Sequence, residues 1–278
     1  MMDNWIIVSN CQTYGLANTL QAQTDGVKVE GIDILLFQSS PEFYLNKIEQ
    51  SDRLLISRDM RNVLVDAGLS DDKPWTEVPA FIFRAYHPDL TYIKCRGVPL
   101  DGAVNHYHSA IVYACFKAGM DEHEAVKRFN GDLFERCGYL DLWLDERDRL
   151  VRDMAGIGID IAATNRRWGR GDSFMYSINH PKIRVLRDIA RELIRNAGLH
   201  TIDGVEAHDN LASGPHFAVY PEIAESLGVS GGYVFKNADS YRPFGLEEFV
   251  HRSYASYSAI NLDDVEHHPH VEYILSIL

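Results

Sequence analysis

No apolar stretch in these 278 residues comes near the ~20 needed to cross a bilayer, so no transmembrane segment is expected. The start, Met1-Met2-Asp3-Asn4, lacks a basic region, and the apolar run behind it is too short for a signal peptide. A cytoplasmic location is the expectation. The four cysteines, Cys11, Cys95, Cys115 and Cys137, form no CxxC pair, which argues against a zinc ribbon or a thioredoxin-type site. They should be free thiols. HExxH is absent, and no compact ligand set replaces it, so no metal is expected. GxGxxG and GxxxxGK[ST] are absent too, which removes the Rossmann fingerprint and the P-loop. Positive charge is scarce: 27 Lys and Arg against 40 Asp and Glu give a net charge of −13. A nucleic-acid partner is therefore disfavoured, although an acidic protein can still carry a local basic pocket for a small anion.

What is present begins with Trp5-Ile6-Ile7-Val8, an apolar β-branched run that ends in Ser9-Asn10-Cys11-Gln12. A helical pattern with Leu16, Ala17 and Leu20 follows, so the segment reads as strand, turn and helix. Further strands are expected at Gly31–Phe37, Asp52–Ser57 and Ala80–Arg84, with helices at Glu42–Gln50 and up to Ala67. This alternation predicts a parallel sheet with helical crossovers. The middle reads as helical: Tyr107–Ala118, a capping box at Asp121-Glu122-His123-Glu124, and Leu142 to about Met154. Arg166–Asp172 reads as a loop. Pro181 is expected to open an amphipathic helix closed by Gly198, and later helices are expected at Pro221–Leu227 and Gly245–Ala259. Gly231–Lys236 reads as a strand. The economical organisation is one domain, 1–278, with a helical insertion over about 105–170.

Three groups of residues could carry chemistry. Cys11 would sit at the carboxyl end of the first strand and at a helix N-terminus, a setting that favours a thiolate. His180, in the turn before a helix, is its candidate base. The bland alternative is a small buried cysteine and a capping histidine. A second group, Arg84, Tyr86, His87 and Asp89 with Asn105, His106, Tyr107, His108 and Ser109, could bind ligand or donate to an oxyanion, or simply cap helices. The third is basic: Arg58, Arg84, Lys94, Arg96, Arg166, Arg167, Arg170 and Lys236, guanidinium groups being suited to phosphate.

Ser9-Asn10-Cys11-Gln12, Tyr86-His87-Pro88-Asp89, Tyr107-His108-Ser109-Ala110-Ile111 and Ile178-Asn179-His180-Pro181 together resemble the WcbI-type polysaccharide-biosynthesis family of acetyltransferases. The resemblance spans roughly the first 195 residues. It implies an α/β, three-layer SGNH-like parallel sheet flanked by helices. In SGNH hydrolases a nucleophile follows the first strand and a DxxH block precedes the last helix. Cys11 takes the nucleophile position and His180 the histidine position, while Ser177 stands where the acid would be. The implied activity is CoA-dependent O-acetyl transfer to a sugar hydroxyl of a capsular or other surface polysaccharide. Acetyl-CoA is then a substrate and a carbohydrate the acceptor; a homo-oligomer is compatible. Asn10, Gln12, Tyr86, His87, Asn105, His108 and Ser109 become candidates for substrate or oxyanion contacts. Arg58, Arg84, Arg166, Arg167 and Arg170 become candidates for the CoA phosphates. The alternatives are an esterase or thioesterase using the same Cys-His pair, and a non-catalytic protein of a glycan pathway.

Overall fold

The computed structural model describes residues 2–238 and 240–278; Met1, part of the N-terminal reading, lies outside them. The elements begin with β1 (Asp3–Ser9), α1 (Thr13–Gln23), β2 (Val27–Asp33), α2 (Ile34–Ser39), α3 (Pro41–Glu49), β3 (Arg53–Ser57), α4 (Arg58–Asp66) and β4 (Trp75–Val78). Short strands β5 (Leu90–Thr91), β6 (Ile93–Cys95), β7 (Val98–Pro99) and β8 (His108–Ser109) lead to α5 (Ala110–Lys117), α6 (Glu122–Lys127), α7 (Gly131–Arg136), α8 (Leu142–Gly156) and α9 (Ala162–Trp168). The chain closes with β9 (Met175–Ser177), β10 (His180–Pro181), α10 (Ile183–Asn196), α11 (Pro221–Leu227), α12 (Leu246–Ser258), β11 (Val265–His267) and α13 (His270–Ile277). Residue contacts group the chain into two compact units: 1–82, 148–168 and 179–211 form one; 83–147, 169–178 and 212–278 form the other.

The first unit holds a four-stranded parallel sheet of order β2-β1-β3-β4. β1 is central, and Ile6, Ile7 and Val8 are fully buried. Side chains alternate across a strand, so Ile6 and Val8 share one face with Ile32, Leu54 and Ile56. There they meet Phe37 of α2, Ile48 of α3 and Leu64 of α4. Ile7 points to the other face. Gly31 is its register partner on β2. A Cβ at Gly31 would meet Thr13, Ala17 and Tyr14 of α1, so glycine there lets α1 lie close on the sheet. α1 also packs on α10; a Cβ at Gly15 would stand 2.7 Å from Leu186 Cδ1. The sheet is thus covered by helices on both faces, as parallel sheets generally are.

The second unit is built around α5, whose residues Ala110–Cys115 are all buried. α6, α12 and α13 pack on it. Antiparallel pairs β5-β8 and β11-β6-β7 flank this core. Phe235 stacks on Phe249, with ring centroids 4.1 Å apart.

Several elements differ from the sequence expectation. Leu35, Leu36 and Phe37 belong to α2 rather than a strand, because the Asp33 carboxylate accepts the Leu36 N–H and caps a helix there. Ala80–Arg84 is not a strand; the fourth strand is β4. The Phe81 backbone is satisfied by the Gln12 side chain instead of a ladder, and the Phe83 N–H by the Ile178 carbonyl. Arg166 and Arg167 lie on α9 rather than in a loop, with Trp168 buried and donating its indole N–H to Asp188 at 2.8 Å. Pro181 falls in β10. The helix opens at Ile183, whose N–H is taken by the Asp209 carboxylate. Gly231–Lys236 contributes only isolated bridges. The capping box at Asp121 and Glu124 is formed as read.

Candidate functional site

The turn after β1 places Cys11 at the carboxyl edge of the parallel sheet, the edge on which open α/β sheets bind ligands. Asn10 shapes that turn. Its carbonyl accepts from the Thr13 N–H at 3.0 Å and the Thr13 hydroxyl at 2.7 Å. Its side-chain oxygen accepts from the Gln12 N–H at 3.0 Å and lies 3.9 Å from Cys11 Sγ. The Asn179 carbonyl is likewise 3.9 Å from that sulfur, and the Asn179 amide nitrogen 3.8 Å. His180 follows Asn179 directly and is 7% exposed. The segments around Cys11 and His180 therefore meet in the first unit, through Asn179.

Cys11 is exposed. Even so, packing around the sulfur pushes its thiol up to about 11; the Cys11 backbone N–H opposes that shift, and the Asp59 carboxylate adds to it. Desolvation outweighs the single N–H that would favour a thiolate here.

Gln12 is 3% exposed and serves as a brace. Its amide nitrogen donates to the carbonyls of Phe81 and Asn179, both at 2.8 Å, and its oxygen accepts from the Phe81 N–H at 3.0 Å. It thereby ties the Cys11 turn to the segment carrying His180.

Beside this site lies a cavity of about 750 Å³, within the range of small-molecule sites. Arg58 and Asp59, opening α4, line it with Glu77 and Val78 at the end of β4 and with Arg149, Arg152 and Asp153 of α8. Asp59 lines this cavity, and its charge reaches the Cys11 thiol. Arg58 pairs with Glu77 at 3.1 Å and Arg149 with Asp153 at 3.1 Å. Arg152 forms no ion pair among the described residues. Val78, Ile82, Leu150 and Met154 supply apolar wall.

Most other candidates belong to the second unit. Ser177 belongs to the second unit, and its hydroxyl donates to the Tyr107 hydroxyl at 3.1 Å. Tyr86 and His87 are buried in that unit; Tyr86 packs among Phe83, Trp143 and Phe174, and His87 Nδ1 lies 3.1 Å from the Ala218 carbonyl. Asn105 takes a left-handed backbone, φ 48°, and its side chain accepts from the Ala238 N–H. His108 is held on both sides, Nε2 to the Leu100 carbonyl and Nδ1 to the Tyr257 hydroxyl, each at 3.0 Å. Burial lowers its pKa to about 4, so it is neutral, donating from Nε2 and accepting at Nδ1. Ser109 caps α5 through the Val112 N–H. Among the basic candidates, Arg58 lines the cavity beside Cys11. Arg166 and Arg167 sit on α9, Arg167 lying 3.9 Å from Asp188, and Arg84 and Arg170 belong to the second unit. Asp59, Arg149 and Arg152 were not singled out in the sequence, and Asn179 entered only as part of the Ile178–Pro181 motif. Asn179 had a local signal, adjacency to His180; the others reach the site only through the packing of α4 and α8.

A sequence model of the family described as "Polysaccharide biosynthesis enzyme WcbI" matches residues 4–201. The chain belongs to this family. No curated protein matches the sequence. The fold is similar to that of a solved structure described as structural insights into WcbI, "a novel polysaccharide biosynthesis enzyme", the native protein without a disulfide bond between CoA and a cysteine. The TM-score is 0.72 at 14% identity, covering 100% of this chain and 94% of the other.

Proposed function

We propose that this WcbI-family chain is a cytoplasmic, CoA-dependent O-acetyltransferase acting on a sugar of a surface polysaccharide or its precursor. The observation that carries the reading is the exposed Cys11 at the carboxyl end of β1, joined through Asn179 to His180 and bordered by an arginine-bearing cavity. The related structure, whose description names CoA and a cysteine, supports CoA as a ligand. An SGNH-like layout, with the nucleophile position after the first strand and a histidine ahead of α10, agrees with the same reading.

CoA is a substrate here, and the donor set suits it. Arg58, Arg149 and Arg152 would hold its phosphates, and the apolar wall its pantetheine arm. His180 would take the proton of the acceptor hydroxyl as its oxygen attacks the thioester carbonyl. The Cys11 N–H would hold the oxyanion, and CoA would leave as thiolate and regain a proton. The raised thiol of Cys11 favours this direct route over a Cys11 acyl-enzyme, which would need the thiol ionised first.

Acetyl transfer to a sugar acceptor should fall about 10²–10⁴-fold in His180→Ala. In Cys11→Ser, transfer should persist. Incubation with acetyl-CoA alone, followed by intact mass, separates the routes: an acetyl adduct on Cys11 would overturn the direct one. Acetate release without acceptor at the rate of transfer would make the protein an esterase or thioesterase. Calorimetry with no CoA binding would remove the CoA-dependent transferase reading.

A further inference from the structure

The second unit carries a smaller cavity, about 250 Å³, that neither the Cys11 site nor the core of that unit uses. It is lined by Arg84, Thr91, Tyr92, Lys94, Glu266, His267 and His268. Two permanent cations meet there on a protein of net charge −13. Neither the Arg84 guanidinium nor the Lys94 ammonium forms an ion pair among the described residues, although Lys94 faces Glu266 across the β6–β11 pair. His268 adds a donor. Its Nδ1 accepts the His270 N–H at 3.1 Å, which leaves the hydrogen of the neutral ring on Nε2. His267 is steadied by Glu272, which takes a 2.7 Å contact from its Nε2. Tyr92 presents 41% of its surface, its ring meeting Tyr107 edge-on at 5.7 Å.

These groups divide into two recognition halves. Arg84, Lys94 and His268 are donors suited to a phosphate. Glu266 would repel a bare phosphate, but a carboxylate accepts well from hydroxyls, and Tyr92 offers an apolar face with a polar tip. An anion that also carries hydroxyls and an apolar ring face uses every one of these groups. The cavity is smaller than typical ligand sites, which limits the occupant to about one ring.

We propose that this cavity binds a phosphorylated monosaccharide. The inference goes beyond the acetyltransferase reading, and its binding test stands apart from it. Calorimetry on the full chain would use the 1-phosphates of glucose, galactose and mannose, the same free sugars, and inorganic phosphate, with CoA titrated in parallel. At least one sugar 1-phosphate should bind more tightly than both its free sugar and inorganic phosphate. Lys94→Gln should weaken it about tenfold and leave CoA binding unchanged. Lys127→Gln, an exposed control on α6, should change neither. The proposal is overturned if no sugar phosphate binds, if inorganic phosphate binds as tightly, or if Lys94→Gln has no effect. It is overturned too if Lys94→Gln weakens CoA, since the cavity would then serve the donor. CoA binding without sugar-phosphate binding sinks this inference alone, whereas loss of CoA binding in the native protein sinks the acetyltransferase reading.

Discussion

Both units place polar residues at the ends of strands and helices, yet these residues are used differently. In the first unit, Asn10, Cys11 and Asn179 lie at the open edge of the parallel sheet, and Cys11 remains exposed. In the second, Asp89, His108 and Ser109 are sealed inside. Asp89 accepts the Ile111 N–H at 2.9 Å, the Tyr139 hydroxyl at 3.1 Å and the Tyr220 hydroxyl at 2.6 Å. Burial pushes its carboxyl up, against the pull of those donors. Polar residues at element ends thus form a candidate reactive edge in one unit and a buried polar framework in the other. Access to solvent decides between them, since a buried polar group must be fully paired to be tolerated.

The sharpest way to break this comparison is to remove the framework. Asp89→Ala leaves two tyrosine hydroxyls and a helix N–H without their acceptor and should cost about 3–5 kcal/mol of stability. Urea unfolding checks it; a loss below ~1 kcal/mol would mean the network is dispensable. Next comes Gln12→Ala, which deletes three hydrogen bonds and orphans the Phe81 backbone, at about 2–3 kcal/mol. Because Gln12 positions the Cys11 turn, Gln12→Ala should also slow transfer more than it weakens CoA. If kcat is unchanged once the folded fraction is corrected for, Gln12 has only a stabilising role. The smallest effect concerns Cys11 itself. Its neutral form persists up to about pH 11, so iodoacetamide labelling should rise about tenfold per pH unit from 7 to 10 without levelling. A plateau near pH 7 would mean that a thiolate is already present and would restore the covalent route.

The comparison also explains what was legible beforehand. The parallel sheet and Cys11 at its edge followed from local patterns, whereas His180 joins Cys11 in one unit only through the fold. The candidates around Tyr86, His87, Asn105, His108 and Ser109 looked equally polar and equally terminal in sequence. Periodicity cannot tell a group aimed at a ligand from one aimed at a neighbouring tyrosine, and His108 bonds Tyr257 from 149 positions away. The strand expected at Ala80–Arg84 failed for a related reason. Its apolar alternation is real, and Phe81 and Phe83 are buried, but their backbone partners are the Gln12 side chain and Ile178.

Local sequence by itself determined the β-branched run of β1, the turn chemistry that exposes Cys11, the Asp121 capping box and the amphipathic α10. Each depends on residues within a few positions of one another. Tertiary structure alone decided the raised thiol of Cys11, the bracing role of Gln12, the arginines of α8 beside the α4 cavity, and the burial of Asp89. Those properties depend on desolvation and on hydrogen-bond partners distant in the chain, which only the packed structure brings together.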